Sequence, residues 1–313
     1  MKKLQVALAA LAALSAGSAL AQSSVEIYGR MNVSVERQKV GGVSTTEMIN
    51  NSSRIGFRGT EDLGGGLKAG FVLEHGFNID TGTQSQSSFW ARQSELNLSG
   101  GFGMVRLGNF TSEAYFATAD YISMHNHDTG TTYDRLYAYV GRNTDKLAYR
   151  TPDLGGLTVE AAVSLKEATA DNSFDLAANY NVGNLQFGAG YEKFGDANQF
   201  ALRALYSMNP FTFGAYVQRD EDGYGSGLGK RTTFRLAGMY TMGASELHAT
   251  VGRAGDYDNL SDSAATQFVL AYNYNLSKRT KVYALYGKVS ADANAPADYQ
   301  DRTNFGVGLR HNF

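Results

Sequence analysis

The chain has no cysteine, only three prolines and one tryptophan, and no basic excess: 28 lysines and arginines stand against 30 acids. Without cysteine there is no disulfide framework and no thiolate metal site. Scarce proline leaves strands uninterrupted, and the charge balance argues against nucleic acid as a partner. A long apolar run is also missing. Leu4 to Leu14 is too short to span a bilayer as a helix, and nothing like it recurs. With Lys2 and Lys3 before it and Ala19, Leu20, Ala21 after it, this stretch reads as a secretory signal peptide, residues 1–21. Its removal takes the formal charge from -2 to -4 as the two lysines leave, and 22–313 is expected to form one domain.

What is abundant is glycine (36), tyrosine (19) and phenylalanine (17), at a mean hydropathy of only -0.30. From Val25 the chain alternates. Val25, Ile27, Met31, Val33 and Val35 share one face, with Glu26, Tyr28, Arg30, Asn32 and Glu36 on the other. The same alternation runs through 157–166, 174–180, 185–192, 200–207 and 233–240, and side chains of a strand point alternately to its two faces. A soluble sandwich alternates too, but three features favour a membrane barrel. The segments are about ten residues long, which suits a tilted strand crossing a bilayer. Aromatics such as Tyr28, Phe89, Trp90, Tyr180, Tyr206, Phe211, Tyr240, Tyr272 and Tyr274 gather at segment ends, as an interfacial girdle requires. Short connections alternate with long ones.

Seven short turns, at 61–66, 100–103, 152–156, 183–184, 209–210, 242–244 and 277–279, plus two termini on the same side, give sixteen strands. Long connections are expected at 39–50, 81–87 and 113–142, and shorter ones near 169, 196, 223, 258 and 293. The fold class is therefore all-β: a transmembrane antiparallel β-barrel of sixteen strands, closed so that no edge lies unpaired in lipid and wide enough for an aqueous lumen. One segment disobeys. If Arg92, Ser94 and Leu96 face inward, then Gln93, Glu95 and Asn97 face outward, which points to a bulge or, preferably, to a seam with another subunit.

The stretch from Glu113 to Arg142 keeps no period. It holds Asp120, His125, His127, Asp128 and Asp134 among six aromatic side chains. A structureless loop of this length in a compact domain is usually functional, and it is expected to plug the barrel. The other candidate sites are weak. His125 and His127 read as a solvated pair more readily than as metal ligands, and 223–229 lacks the spacing of a phosphate loop, so no metal and no cofactor are expected.

Several motifs carry a family likeness: SSVEIYGR at 23–30, SSRIGFRGTEDLGGGLKAGF at 52–71, GFGMVRLG at 101–108, RNTDKLAYRTPDLGGL at 142–157 and the closing FGVGLRHNF. Together they resemble the general diffusion porins of Gram-negative bacteria, nearest the beta-proteobacterial branch. The resemblance covers the chain beyond the leader from end to end. It implies a homotrimer in the outer membrane, in contact with lipid and lipopolysaccharide, whose third external loop folds inward. That loop corresponds to 113–142. Phe313, with Phe305, Val307 and Leu309 before it, resembles the signal read by the barrel assembly machinery. By motif Arg54, Arg92 and Arg150 match the wall arginines that face the loop acids Glu113, Asp120, Asp128 and Asp134, and strand parity independently turns Arg54 and Arg150 inward. Arg30 and Arg58 join them on the lumen wall, as do Arg203, Arg235 and Arg310. Two departures stand out. Asn109 replaces the arginine that often follows Leu-Gly, and the loop tip reads SMHNHDTG instead of the acidic tip of enteric relatives.

The function expected is passive passage of ions and small hydrophilic solutes, with weak anion preference. A narrow zone with cations on one wall and carboxylates on the loop aligns polar solutes and disfavours apolar ones. The alternatives are a solute-specific channel, an outer-membrane hydrolase, for which no local catalytic motif exists, and an adhesin with a sealed lumen.

Overall fold

Alternation in the sequence becomes a single antiparallel sheet in the structure, a computed structural model describing residues 24–127, 134–166, 171–296 and 299–313. Residues 1–21, read above as a signal peptide, and Asp128 lie outside the described residues. The strands are β1 (Ser24–Val40), β2 in two runs (Val43–Asn50 and Arg54–Gly64), β3 (Leu67–Gly76), β4 (Gln93–Gly100), β5 (Gly103–Asn109), β6 (Lys146–Arg150), β7 (Leu157–Ser164) and β8 (Ser173–Val182). They continue as β9 (Leu185–Phe194), β10 (Ala197–Met208), β11 (Phe211–Glu221), β12 (Lys230–Met242), β13 (Ser245–Ala254), β14 (Ala265–Asn275), β15 (Thr280–Ala291) and β16 (Arg302–Asn312). Both runs of β2 pair with β1, interrupted only at 51–53, so they form one wall strand. Each strand pairs with its sequence neighbours, and β16 returns to β1. The sheet is thus a closed barrel of sixteen wall strands among the described residues. All seven short turns lie at one end, where Phe313 exchanges backbone hydrogen bonds with Gly29 at 3.1 Å each.

Apolar members of each alternating pair face outward and stay exposed, among them Ile27, Leu176, Phe213, Leu236 and Phe305. Polar members face inward, and many are buried there: Asn32, Glu36, Glu95, Glu160, Gln218, Gln267. This inversion of the soluble pattern is what a lipid-facing wall around a wet interior requires.

Four local expectations are corrected. The connection at 39–50 is no long loop: β1 runs to Val40, turns at Gly41 and Gly42, both at positive φ that glycine adopts without strain, and returns as β2. Arg92 precedes β4 instead of lying on it, so its parity says nothing about that strand. Leu96 and Leu98 face outward, Glu95 and Asn97 inward, and the anomaly disappears without a bulge or a polar seam. Tyr28 belongs to the lumen face, its ring against Gly56 and under the Arg58 guanidinium, and not to the girdle. Phe89 and Trp90 sit in the β3–β4 connection and lie against His75 and Phe57 on the outer face.

The segment between β5 and β6 enters the barrel. Ser112 caps a short helix, α1 (Glu113–Thr118), by accepting from the Ala114 amide at 3.1 Å. The helix lies on β8, β9 and β10, where inward Gly188 and Gly190 leave room: a Cβ at either position would run into the backbone of Ala117 or Ala114. Ile122, in the single 3-10 turn that follows, packs on Gly214 of β11. The return limb binds the same wall. Gln218 holds both backbone groups of Ala138, at 2.9 and 3.0 Å, and Ser173 accepts from the Arg142 amide at 3.2 Å.

Candidate functional site

With the loop seated on β8 to β15, the lumen is bounded by the loop on one side and the β1–β4 wall on the other. On that wall Arg54 and Arg92 share Glu74, at 3.6 and 2.6 Å. Arg30 stands in register directly opposite Arg54 across β1 and β2. It donates to Asn312 at 3.3 Å and to Asn126 of the loop at 3.1 Å. On β16, Arg310 stands in register opposite Lys281 of β15 and donates to the Asn126 carbonyl at 3.3 Å. Like charges directly opposed on neighbouring strands cost stability. Two such pairs side by side, with Glu74 and Glu246 as carboxylates hydrogen-bonded or ion-paired to members of the row, make a cationic arc from β15 to β4.

Arg150 belongs to a different group. It pairs with Glu113 of α1 and with Glu160 at 2.8 Å, Glu160 holds Arg106 at 3.0 Å, and Arg106 reaches Glu95 at 2.8 Å. This ladder of alternating charge fixes the start of the loop to β4, β5 and β7. Glu113 also accepts from Asn179 at 3.1 Å. Burial pushes the Glu113 carboxyl above the ordinary carboxylate range, and the Arg150 charge beside it works in the opposite direction.

One of the partners foreseen for the arginines is corrected. Asp134 does not reach the Arg54–Arg92 wall. It is buried, ion-paired with Arg235 of β12, and accepts from Ser123 at 2.5 Å, so it anchors the loop. Among the described residues, Glu74 pairs with Arg54 and Arg92, and Glu160 and Glu113 pair with Arg150. Glu74 and Glu160 lie on strands, where parity marks them as inward, but nothing in a single sequence says which arginine each will meet. Asp120 lies within 3.4 Å of the Tyr115 hydroxyl on the loop. Arg58 pairs with Glu26 at 2.8 Å towards the turn end, exposed and away from the loop. Arg203 lies under the Tyr121 ring, 5.1 Å from its centroid.

His125 and His127 are not solvated. Both are buried at the loop tip: His127 shares a hydrogen bond with Asn273 at 2.7 Å and stacks on Tyr283 at 4.0 Å, and the His125 ring lies edge-on to His248 at 6.2 Å. Burial, with Arg310, His248 and Lys281 nearby, draws His127 down to about 3 despite the Asn273 contact. His125 is also well below its ordinary value, first through burial. Phe305, Val307, Leu309 and Phe313 are all exposed on the outer face.

A family model described as Gram-negative porin matches residues 7–294. The chain is 32% identical to outer membrane porin protein 32 of Delftia acidovorans and 30% identical to a major outer membrane protein P.IB of Neisseria meningitidis serogroup B, over the whole of each chain. Among solved structures, an anion-selective porin from Comamonas acidovorans superimposes with a TM-score of 0.78 at 25% identity, covering 93% of this chain and all of that one.

Proposed function

The chain belongs to the Gram-negative porin family, and from that premise we propose how its lumen sorts what passes. It is an outer-membrane channel for passive diffusion of ions and small hydrophilic solutes, and not an enzyme. The constriction, in our reading, lies between Glu113 and Asp120 of the loop and Arg30, Arg54 and Arg92 of the wall, with Arg150 at the loop's root. Arg58 lines the path further towards the turns.

The preference is for anions. One observation carries this: the two in-register like-charge pairs, Arg30 with Arg54 and Arg310 with Lys281, sit side by side on one arc of the lumen wall. Local charge decides, because screening at physiological salt sets in over about 8 Å. Small polar solutes exchange water for the cationic arc on one side and carboxylates on the other, and apolar solutes gain nothing for the ordered water they displace. The test is single-channel recording in planar bilayers under a salt gradient. An anion-directed reversal potential that moves towards cations in Arg54→Ala and Arg30→Ala supports the reading; a cation-directed potential in the unaltered protein overturns it.

The finer setting is also proposed. Residues 1–21 are a cleaved signal peptide, and Phe305 to Phe313 engage the barrel assembly machinery. Lipid and lipopolysaccharide surround a homotrimer whose seam includes β2 and β3, where Phe89 and Trp90 cover the outer face in place of bare wall.

A further inference from the structure

The outward face carries a repeat that channel function does not use. At the loop end of the apolar band, a cation points outward from every second strand: Lys193 on β9, Arg219 on β11, Arg253 on β13, Lys288 on β15 and Arg37 on β1, all exposed. The register gives each the same two neighbours. On the preceding strand the opposed residue is a phenylalanine: Phe174, Phe200, Phe234, Phe268 and Phe305 in that order. On the following strand it is a small polar residue, namely Asn198, Thr232, Thr266, Thr303 and Thr46. Arg219 and Arg253 donate to their threonines at 2.9 and 3.4 Å. Five repeats of phenylalanine, cation and hydroxyl or amide at one level are more than solubility requires.

The repeat has an edge. No outward strand position of β2 to β8 is a lysine or arginine; that arc presents residues such as Phe57, Phe71, Leu96, Leu107 and Tyr149 instead. The belt is confined to the arc away from the face covered by Phe89 and Trp90.

We propose that this belt docks a phosphorylated glycolipid of the lipopolysaccharide type in the outer leaflet. The guanidinium and ammonium groups take the sugar phosphates, the threonines and Asn198 add donors to the same headgroup, and each phenylalanine meets the first methylenes of an acyl chain just inside the boundary. Charge selects the occupant. A row of cations at the edge of hydrocarbon attracts anionic headgroups, and only a lipid offers phosphate and acyl chain together at that depth. The inference rests on the outer-membrane reading and assigns residues to a contact that the reading leaves general.

The experiment is native mass spectrometry of the detergent-extracted protein titrated with bisphosphorylated lipid A, with the same glycolipid after enzymatic removal of its phosphates, and with inorganic phosphate. The protein should retain lipid A over the dephosphorylated form. Arg253→Gln/Lys288→Gln should weaken retention roughly twenty-five-fold, about fivefold for each cation near an anionic lipid surface. Unaltered conductance and reversal potential in that variant show that the barrel is folded and its lumen intact. Equal retention of both glycolipid forms, equal retention by the variant, or phosphate binding that displaces no lipid each overturns the assignment while leaving the channel reading untouched.

Discussion

Arg30 faces Arg54 in register across β1 and β2, two like charges on one lumen wall. Directly opposed like charges destabilise a strand pair, within a range of about 0.2–1 kcal/mol for such cross-strand effects. Replacing Arg54 with glutamine should therefore stabilise the barrel slightly while reducing its anion preference. Urea unfolding and reversal potentials on the same preparation check both. A variant that loses stability and keeps its selectivity would show that the pair does not set the field.

The loop carboxylate opposes that field. Glu113→Gln should strengthen anion preference, and because burial already holds the Glu113 carboxyl high, acidification should have the same effect in the unaltered protein as pH falls through its raised pKa. A pH series of reversal potentials tests this. The acid-induced gain should be absent from the glutamine variant.

Asp134 and Arg235 form a buried pair at the middle of the loop. Breaking a buried pair from one side costs about 3–5 kcal/mol. Asp134→Asn should release the loop from β12, seen as faster amide hydrogen exchange over 119–127 and 134–140 and as wider, noisier conductance. Changing Arg235 to methionine in the same chain should recover part of the protection, because no uncompensated charge then remains.

The tip should respond to acid. His125 and His127 are buried and neutral, with His248, Arg235, Arg310 and Lys281 around them and Glu246 against His248. In a released tip each histidine has its ordinary pKa near 6.5, whereas the seated His127 stays neutral down to about 3. Between those values the released state binds more protons. Seating is therefore complete above pH 6.5 and weakens as pH falls, by about 1.4 kcal/mol per pH unit for each histidine. Loop fluctuations in single-channel records should rise below about pH 5. His127→Gln, which keeps a polar side chain for Asn273, should shift that onset lower.

The barrel was legible because lipid and water divide the two faces of every strand, so the period of two survives in the sequence. All seven turns were readable from glycine, asparagine, proline and serine. The misread places are those where that division ends. Arg92 lies one residue before β4, and extending the alternation through it inverted the parity of Glu95 and Asn97. The loop's anchors were illegible for a related reason. Asp134 and Arg235 lie a hundred residues apart, and a loop without a period carries no register from which to infer a partner. His125 and His127 looked wet because a tip rich in polar residues usually is; Tyr283 and Asn273, which bury them, resemble any other inward residues of β15 and β14.

Phe313 pairs through both backbone groups with Gly29, so the last strand of the sheet is tied to the first at the turn end. Until that happens, β1 and β16 are open edges, and open edges recruit other strands. Eleven residue pairs join β1 to β16, and once they are made the cylinder offers no free edge at which another strand could add.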